Sequence, residues 1–195
     1  MSLRGIVAYI SGTSPQPELA VTRERLLRLT PSGKADIVDG VAQRFDALAR
    51  EHDVSTRLRL CHFLAQAAHE TDGFRALEEY GGASYFLRYE GRQDLGNTQA
   101  GDGIRYHGRG IFQLTGRANY RRFGKIIGID LEAVPERAKE PDISLLVAFA
   151  YWSERAISAA ADADDVAAVT KLINGGRNGL AERARYLEKA KGIWV

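Results

Sequence analysis

A mainly α-helical α+β single domain, with one small β element set into its middle, is the fold class this sequence predicts. Three observations carry the prediction. Apolar residues recur at three- and four-residue steps over most of the chain. One stretch, over 80–106, breaks that pattern with glycines and interleaved aromatics and supports no long helix. The length of 195 residues suffices for one ordinary core without a metal or disulfide staple.

Taken in order, residues 1–17 end in Ser14-Pro15-Gln16-Pro17 and read as a peripheral amino-terminal arm, leaving 18–195 as the domain. A first short helix is expected at about 18–29, carrying Leu19, Leu26 and Leu27 and stopped by Thr30-Pro31-Ser32-Gly33. Ile37, Val41, Phe45 and Leu48 predict an amphipathic helix over about 35–51. Ser55 is the expected cap of the next helix, where Leu60, Phe63, Leu64, Ala67 and Ala68 make one wide apolar face. Gly73 is placed to end that helix in a left-handed conformation. Glu70 then falls on the flank of the apolar face in the last turn, beside the negative end of the helix dipole, where a charged carboxylate is disfavoured.

The segment over 80–106 holds Gly81-Gly82, Gly91, Gly96-Asn97 and Gly101-Asp102-Gly103 among Tyr80, Tyr85, Phe86 and Tyr89, and reads as a functional loop region leading into a short hairpin around 104–115. Helical patterning returns at about 118–127. Asp142 is the expected cap of a helix whose buried stripe is Leu145, Phe149, Trp152 and Ala156. A helix over about 165–173, stopped by Asn174-Gly175-Gly176, and a last one over about 180–191 complete the chain.

Composition narrows the function by exclusion. The net charge is only +2 and no run of five like charges occurs, which argues against nucleic acid. The apolar stretch near the amino terminus is shorter than a secretory signal core of ~7–15 residues, and no window approaches the ~18 apolar residues of a membrane span. A soluble, monomeric product of cytoplasmic synthesis is expected, with no membrane insertion. Cys61, the one cysteine, sits in an apolar run and reads as a buried structural thiol. His62 and His69 share a helical face without a further ligand at zinc spacing, so neither a metal nor another cofactor is implied.

What remains is carboxylate chemistry. Hydrolysis of a glycosidic bond needs one carboxyl held protonated and one held ionised across the sugar ring. Glu70 suits the first role by its placement. Glu79, nine positions on (79 − 70) in a polar turn, suits the second, with Glu78 and Glu90 as competitors. Gln113, Thr115 and Asn119 supply amide and hydroxyl groups that hold sugars well, although ordinary turn chemistry uses the same residues.

These residues together carry a resemblance. His69-Glu70-Thr71 with Gly73-Phe74, Glu79, then Tyr106-His107-Gly108-Arg109-Gly110-Ile111-Phe112-Gln113-Leu114-Thr115 with Asn119-Tyr120, and Ile173-Asn174-Gly175-Gly176 resemble glycoside hydrolase family 19, the chitinases and phage-type endolysins of the lysozyme superfamily. The stretch from Tyr85 to Arg92 with Leu95-Gly96-Asn97 resembles the endolysin and bacterial branch more than the plant one.

The resemblance implies a lysozyme-like fold and an inverting reaction on β-1,4 bonds of N-acetylated amino-sugar polymers. It implies Glu70 as general acid, Glu79 as the base that activates water, and Thr115 as the hydroxyl that helps hold that water. It further implies His69, Tyr106, Gln113, Asn119, Tyr120 and Asn174 as substrate-binding residues, and Arg183 as an arginine of the same cleft that steadies the carboxylates. Glu90 stays open as an alternative base, since plant-type members place theirs farther along. Peptidoglycan is the expected substrate, reached after release to the cell wall, with chitin as the alternative. A lytic transglycosylase and a non-catalytic glycan-binding protein are the readings from other classes.

Overall fold

The computed structural model describes residues 17–195; of the arm expected over 1–17, residues 1–16 lie outside them. Ten α-helices follow a 3-10 turn at Pro17–Leu19 among the described residues: α1 (Arg23–Leu29), α2 (Ala35–Glu51), α3 (Arg57–Glu70), α4 (Ala83–Phe86), α5 (Asp102–Arg105), α6 (Arg117–Ile127), α7 (Pro141–Glu154), α8 (Ser158–Asp162), α9 (Val166–Asn174) and α10 (Leu180–Ile193). The β element is reduced to two isolated antiparallel bridges, Glu78 to Arg109 and Arg109 to Leu114. The second closes the predicted hairpin region as a tight loop, with Arg109 and Leu114 exchanging backbone bonds of 3.1 and 2.7 Å.

Local chemistry sets the helix ends, in places one residue from the expected position. Thr56, not Ser55, caps α3 by accepting from the Arg59 amide, and α1 begins only at Arg23, capped by Thr22. Asp142 is not a cap: Pro141 occupies the first position of α7, where its missing N–H costs nothing, and Asp142 lies inside the first turn. Asp165 caps α9 through two amides, and Gly175, at φ 76°, ends it.

The core has two parts. The larger surrounds α3, whose residues from Leu60 to Ala68 are all buried; α10 packs along it. Phe63 is its centre, stacked on Phe149 of α7 at 4.4 Å and meeting Phe45 of α2 at 5.4 Å and Phe112 of the 108–115 loop at 5.2 Å. The smaller part gathers Tyr106, Leu114, Tyr120, Phe123 and Leu131 against α7. Because α7 gives Leu145 and Phe149 to one part and Val147 and Ala150 to the other, it must be apolar on opposite sides, unlike a surface helix. No helix among the described residues is long and apolar enough to cross a membrane.

Cys61 is fully buried, and burial pushes its thiol up to about 11, which keeps it protonated and unreactive.

An ion network fastens the smaller part. Arg117 reaches Asp102 at 2.5 Å and Glu132 at 3.1 Å, and Arg121 reaches Glu132 at 2.6 Å. The Arg121 guanidinium, with Arg117 behind it, overcomes the cost of burial and holds Glu132 down at about 2 against an ordinary 4.5. A depressed carboxyl stabilises the fold fully above its unfolded value, and that contribution disappears as pH falls through the folded one. The difference in urea midpoint between the parent and Glu132→Gln is therefore expected to be constant at neutral pH and to shrink only between pH 4.5 and about 2. A difference unchanged down to pH 2 would remove this network from the stability account.

Candidate active site

Glu70 is the last residue of α3 and one of the first along it to emerge from the core, its side chain 16% exposed. The chain must turn sharply just beyond it. Thr71 closes the helix, its hydroxyl donating to the Ala67 carbonyl at 2.7 Å and accepting from the Phe74 amide at 2.8 Å. Asp72, Gly73 and Phe74 then follow at φ 53°, 71° and 57°. The left-handed Gly73 was legible in the sequence; its two neighbours were not, since side chains there are strained. Burial of Phe74 and the bond from the Lys34 amide to its carbonyl at 3.0 Å hold the turn.

This reversal returns residues 77–79 along the 108–110 segment, with the Glu79 amide donating to the Gly108 carbonyl at 2.8 Å and the Gly110 amide to the Leu77 carbonyl at 2.8 Å. Alternation then sends neighbouring carboxylates apart. Glu79, 18% exposed, accepts from Arg88, from the Tyr89 hydroxyl at 2.9 Å and from the Gly108 amide at 3.2 Å. Burial first, then Glu79 itself, raises the Tyr89 hydroxyl above its ordinary range, so it remains a donor.

A Cβ on Gly108 would lie 2.6 Å from Gln113 Oε1 and 3.1 Å from Glu79 Oε2. Only glycine lets these two side chains meet over the backbone.

The two competitors for the second carboxylate have other work. Glu78 accepts from His107 at 3.1 Å, Arg109 at 3.1 Å and Lys139 at 2.7 Å. Burial would raise its carboxyl, but the bonds from Lys139 and His107 outweigh it and hold the group below its usual range. Glu90 accepts from the amides of Gly101 at 2.6 Å and Gly103 at 2.8 Å and so closes the loop over 90–103.

On the side of Glu70, α10 provides Arg183, only 2% exposed. It donates to Glu70 Oε1 at 2.5 Å, to Gln66 Oε1 at 2.5 Å and to the Asn178 carbonyl at 3.1 Å. Gln66, wholly buried, donates in turn to the Thr170 hydroxyl at 3.2 Å. Glu70 Oε2 has no hydrogen-bond partner among the described residues, so one oxygen is held and the other is available.

Asn174 shapes the loop that Arg183 grips, donating to the Asn178 carbonyl at 3.0 Å and accepting from the Gly176 amide at 2.8 Å. His69 pairs with Glu182 at 2.7 Å, and its ring lies flush against Gly179, where a Cβ would come within 2.2 Å of it.

Gln113, at φ 49°, Thr115 and Asn119 form a chain of partly exposed groups, the Thr115 hydroxyl donating to the Gln113 carbonyl at 2.9 Å and the Asn119 amide to the Thr115 carbonyl at 2.8 Å. Two expected substrate ligands are corrected. Tyr106 and Tyr120 are 1% and 0% exposed, with hydroxyls committed to the carbonyls of Glu132 and His107, so they are core and cannot touch a sugar. Arg183, equally buried, touches Glu70 rather than solvent.

Sequence reasoning missed Gln66, Arg88, Tyr89 and His107. Of these, Arg88, Tyr89 and His107 lay in stretches already singled out, and only Gln66 did not.

A helical domain with one half-held carboxylate at a helix end, and a second fixed beside amide and hydroxyl groups, is that of an O-glycosyl hydrolase. Comparison with known proteins gives the family. The profile of glycoside hydrolase family 19, chitinase class I, matches residues 34–178. A glycosyl hydrolase family 19 domain-containing protein of Haemophilus influenzae is 33% identical over 76% of this chain and 86% of its own length. Endochitinase 1 of Theobroma cacao is 35% identical over 60% of this chain, which spans only 40% of that relative.

Among solved structures, chitinase C from Streptomyces griseus superposes with a TM-score of 0.74 over 90% of this chain and 77% of its own, at 21% identity. A class IV chitinase from Zea mays gives 0.70 over 93% and 95%, at 19%. The chain belongs to glycoside hydrolase family 19, and its fold is the lysozyme-like fold of that family.

Proposed function

We propose that this protein cleaves β-1,4 bonds next to N-acetylated amino sugars by single displacement with inversion, and that its substrate is bacterial peptidoglycan. The observation that carries the mechanism is the unlike holding of two carboxylates: Glu70 with one oxygen on Arg183 and one free, Glu79 with both oxygens on donors. Glu70 delivers its proton to the glycosidic oxygen as the bond to the anomeric carbon breaks. Water attacks that carbon from the opposite face, and Glu79 takes the water's proton. Because the Thr115 hydroxyl hydrogen is committed to Gln113, its oxygen is left to accept from the attacking water. Arg183 stabilises the carboxylate that Glu70 becomes. Exchange of one proton with solvent restores both groups.

Peptidoglycan is supported by the endolysin-like stretch from Tyr85 to Arg92. On this reading the enzyme is made in the cytoplasm and reaches the wall after release. Chitin is the second reading, supported by relatives named as chitinases. Incubation with purified peptidoglycan and, separately, with chitohexaose distinguishes them. Soluble fragments with ordinary reducing ends from peptidoglycan are expected, and their loss in Glu79→Gln. Cleavage of chitohexaose alone overturns the substrate; anhydro-muramyl ends with an undiminished Glu79→Gln overturn the mechanism in favour of a lytic transglycosylase.

A further inference from the structure

Behind the loop that carries Glu79 runs an open groove of about 670 Å³, bounded by the start of α2, residues 75–81 and the start of α7. Glu79 is among its lining residues, so the groove borders the residue proposed as the base. Its walls are unusual for a neutral sugar polymer, because they are set with charge: Lys34, Arg75 and Lys139 against Asp36, Glu78 and Glu79.

The formal charges balance, but they are not all paired with one another. Glu78 is already paired from behind with Arg109 as well as with Lys139, Glu79 is paired with Arg88, and Arg75 is tied to Asp72 at 2.5 Å. Lys34 is exposed and has no ion-pair partner among the described residues, and the same holds for Asp36. Lys139 is 44% exposed, and its one carboxylate is shared with Arg109. The groove therefore presents exposed ammonium groups at Lys34 and Lys139, one unpaired carboxylate at Asp36, and the ring of Tyr80, 66% exposed, at its rim.

We propose that this groove receives the peptide stem of peptidoglycan, with stem carboxylates on Lys34 and Lys139 and a stem ammonium on Asp36, while the glycan lies along the catalytic carboxylates. The inference rests on the peptidoglycan reading and sharpens it. Chitin carries no ionised substituent and gains nothing from these charges, whereas a stem attached beside the scissile sugar brings carboxylates and an amine together to within reach of Glu79. Such contacts are solvent-exposed, so they supply preference and not bulk affinity, and salt screens them.

The test compares kcat/KM of the parent and Lys34→Glu on three substrates: stem-bearing glycan strands, the same strands stripped of peptide by an amidase, and chitohexaose. The parent is expected to prefer stem-bearing over stripped strands by about fivefold at low salt, the size of one good exposed ion pair. That preference should shrink in about 0.5 M salt. Lys34→Glu should lose it while cleaving stripped strands and chitohexaose like the parent; circular dichroism checks that the variant is folded. Equal rates on stem-bearing and stripped strands by the parent, or a uniform loss in Lys34→Glu, overturns the groove but leaves the peptidoglycan reading standing. Cleavage of chitohexaose with neither peptidoglycan form touched overturns both.

Discussion

Glu70→Gln is expected to lower kcat by about 10³-fold with KM changed less than about twofold, because general acid catalysis is worth roughly 10²–10⁴-fold and substrate binding does not depend on the proton. The amide keeps an oxygen for Arg183, so the pair of contacts at 2.5 Å from Arg183 to Glu70 and Gln66 survives in neutral form and the fold should hold. The loss must then depend on the leaving group. With an aryl glycoside whose phenol is acidic enough to depart unprotonated, the variant should recover most of the parent rate, since no acid is needed at that bond. Steady-state rates on purified peptidoglycan and on such a glycoside check both halves. Residual activity within tenfold of the parent on the natural bond would remove Glu70 from the acid role.

Arg183→Met is expected to be the most damaging change to the scaffold of the site. Arg183 links Gln66, Glu70 and the Asn178 carbonyl, and it is 2% exposed. Removing the guanidinium leaves a buried amide oxygen and a half-buried carboxylate without their donor, and breaking such a pair costs about 3–5 kcal/mol. For a chain of this size that is a fall in Tm of about 10 °C. Below the melt, kcat should fall as well, because the charge facing the deprotonated Glu70 has gone. Arg183→Lys, which retains charge but cannot reach three acceptors at once, should lie between the two in both readouts. A Tm within about a degree of the parent would show that these buried contacts contribute little.

The contrast between what was legible in the sequence and what was not follows from the range of the forces involved. Helix periodicity and caps are local, and 35–51, 118–127 and the stop at Asn174-Gly175-Gly176 could be read from neighbours alone. Ser55 and Thr56 are adjacent potential caps of like chemistry, and Asp142 competes with the proline before it, so caps shifted by a residue. The relay from Thr170 through Gln66 and Arg183 to Glu70 joins residues more than a hundred positions apart, and no spacing rule reports it.

Aromatics in a Gly-rich segment were ambiguous in the same way. Tyr89 reaches the carboxylate of Glu79, whereas Tyr106 turns inward to fill the smaller core, and periodicity cannot tell the two fates apart where no helix is long enough to have faces. Glu90 belongs here too, since its carboxylate looks free until the amides of Gly101 and Gly103, more than ten positions on, are seen to close on it.

The central claim is single displacement, with Glu70 and Glu79 acting on opposite faces of one sugar. The most direct measurement is the anomeric configuration of the new reducing end, followed by proton NMR in the first minutes of hydrolysis before mutarotation mixes the anomers. Cleavage of a β-1,4 bond is predicted to yield the α-anomer first, with the β-anomer growing in only later. A β-anomer at the earliest time would mean that a protein carboxylate, not water, had attacked the sugar, and would contradict the assignment of Glu79 as the base.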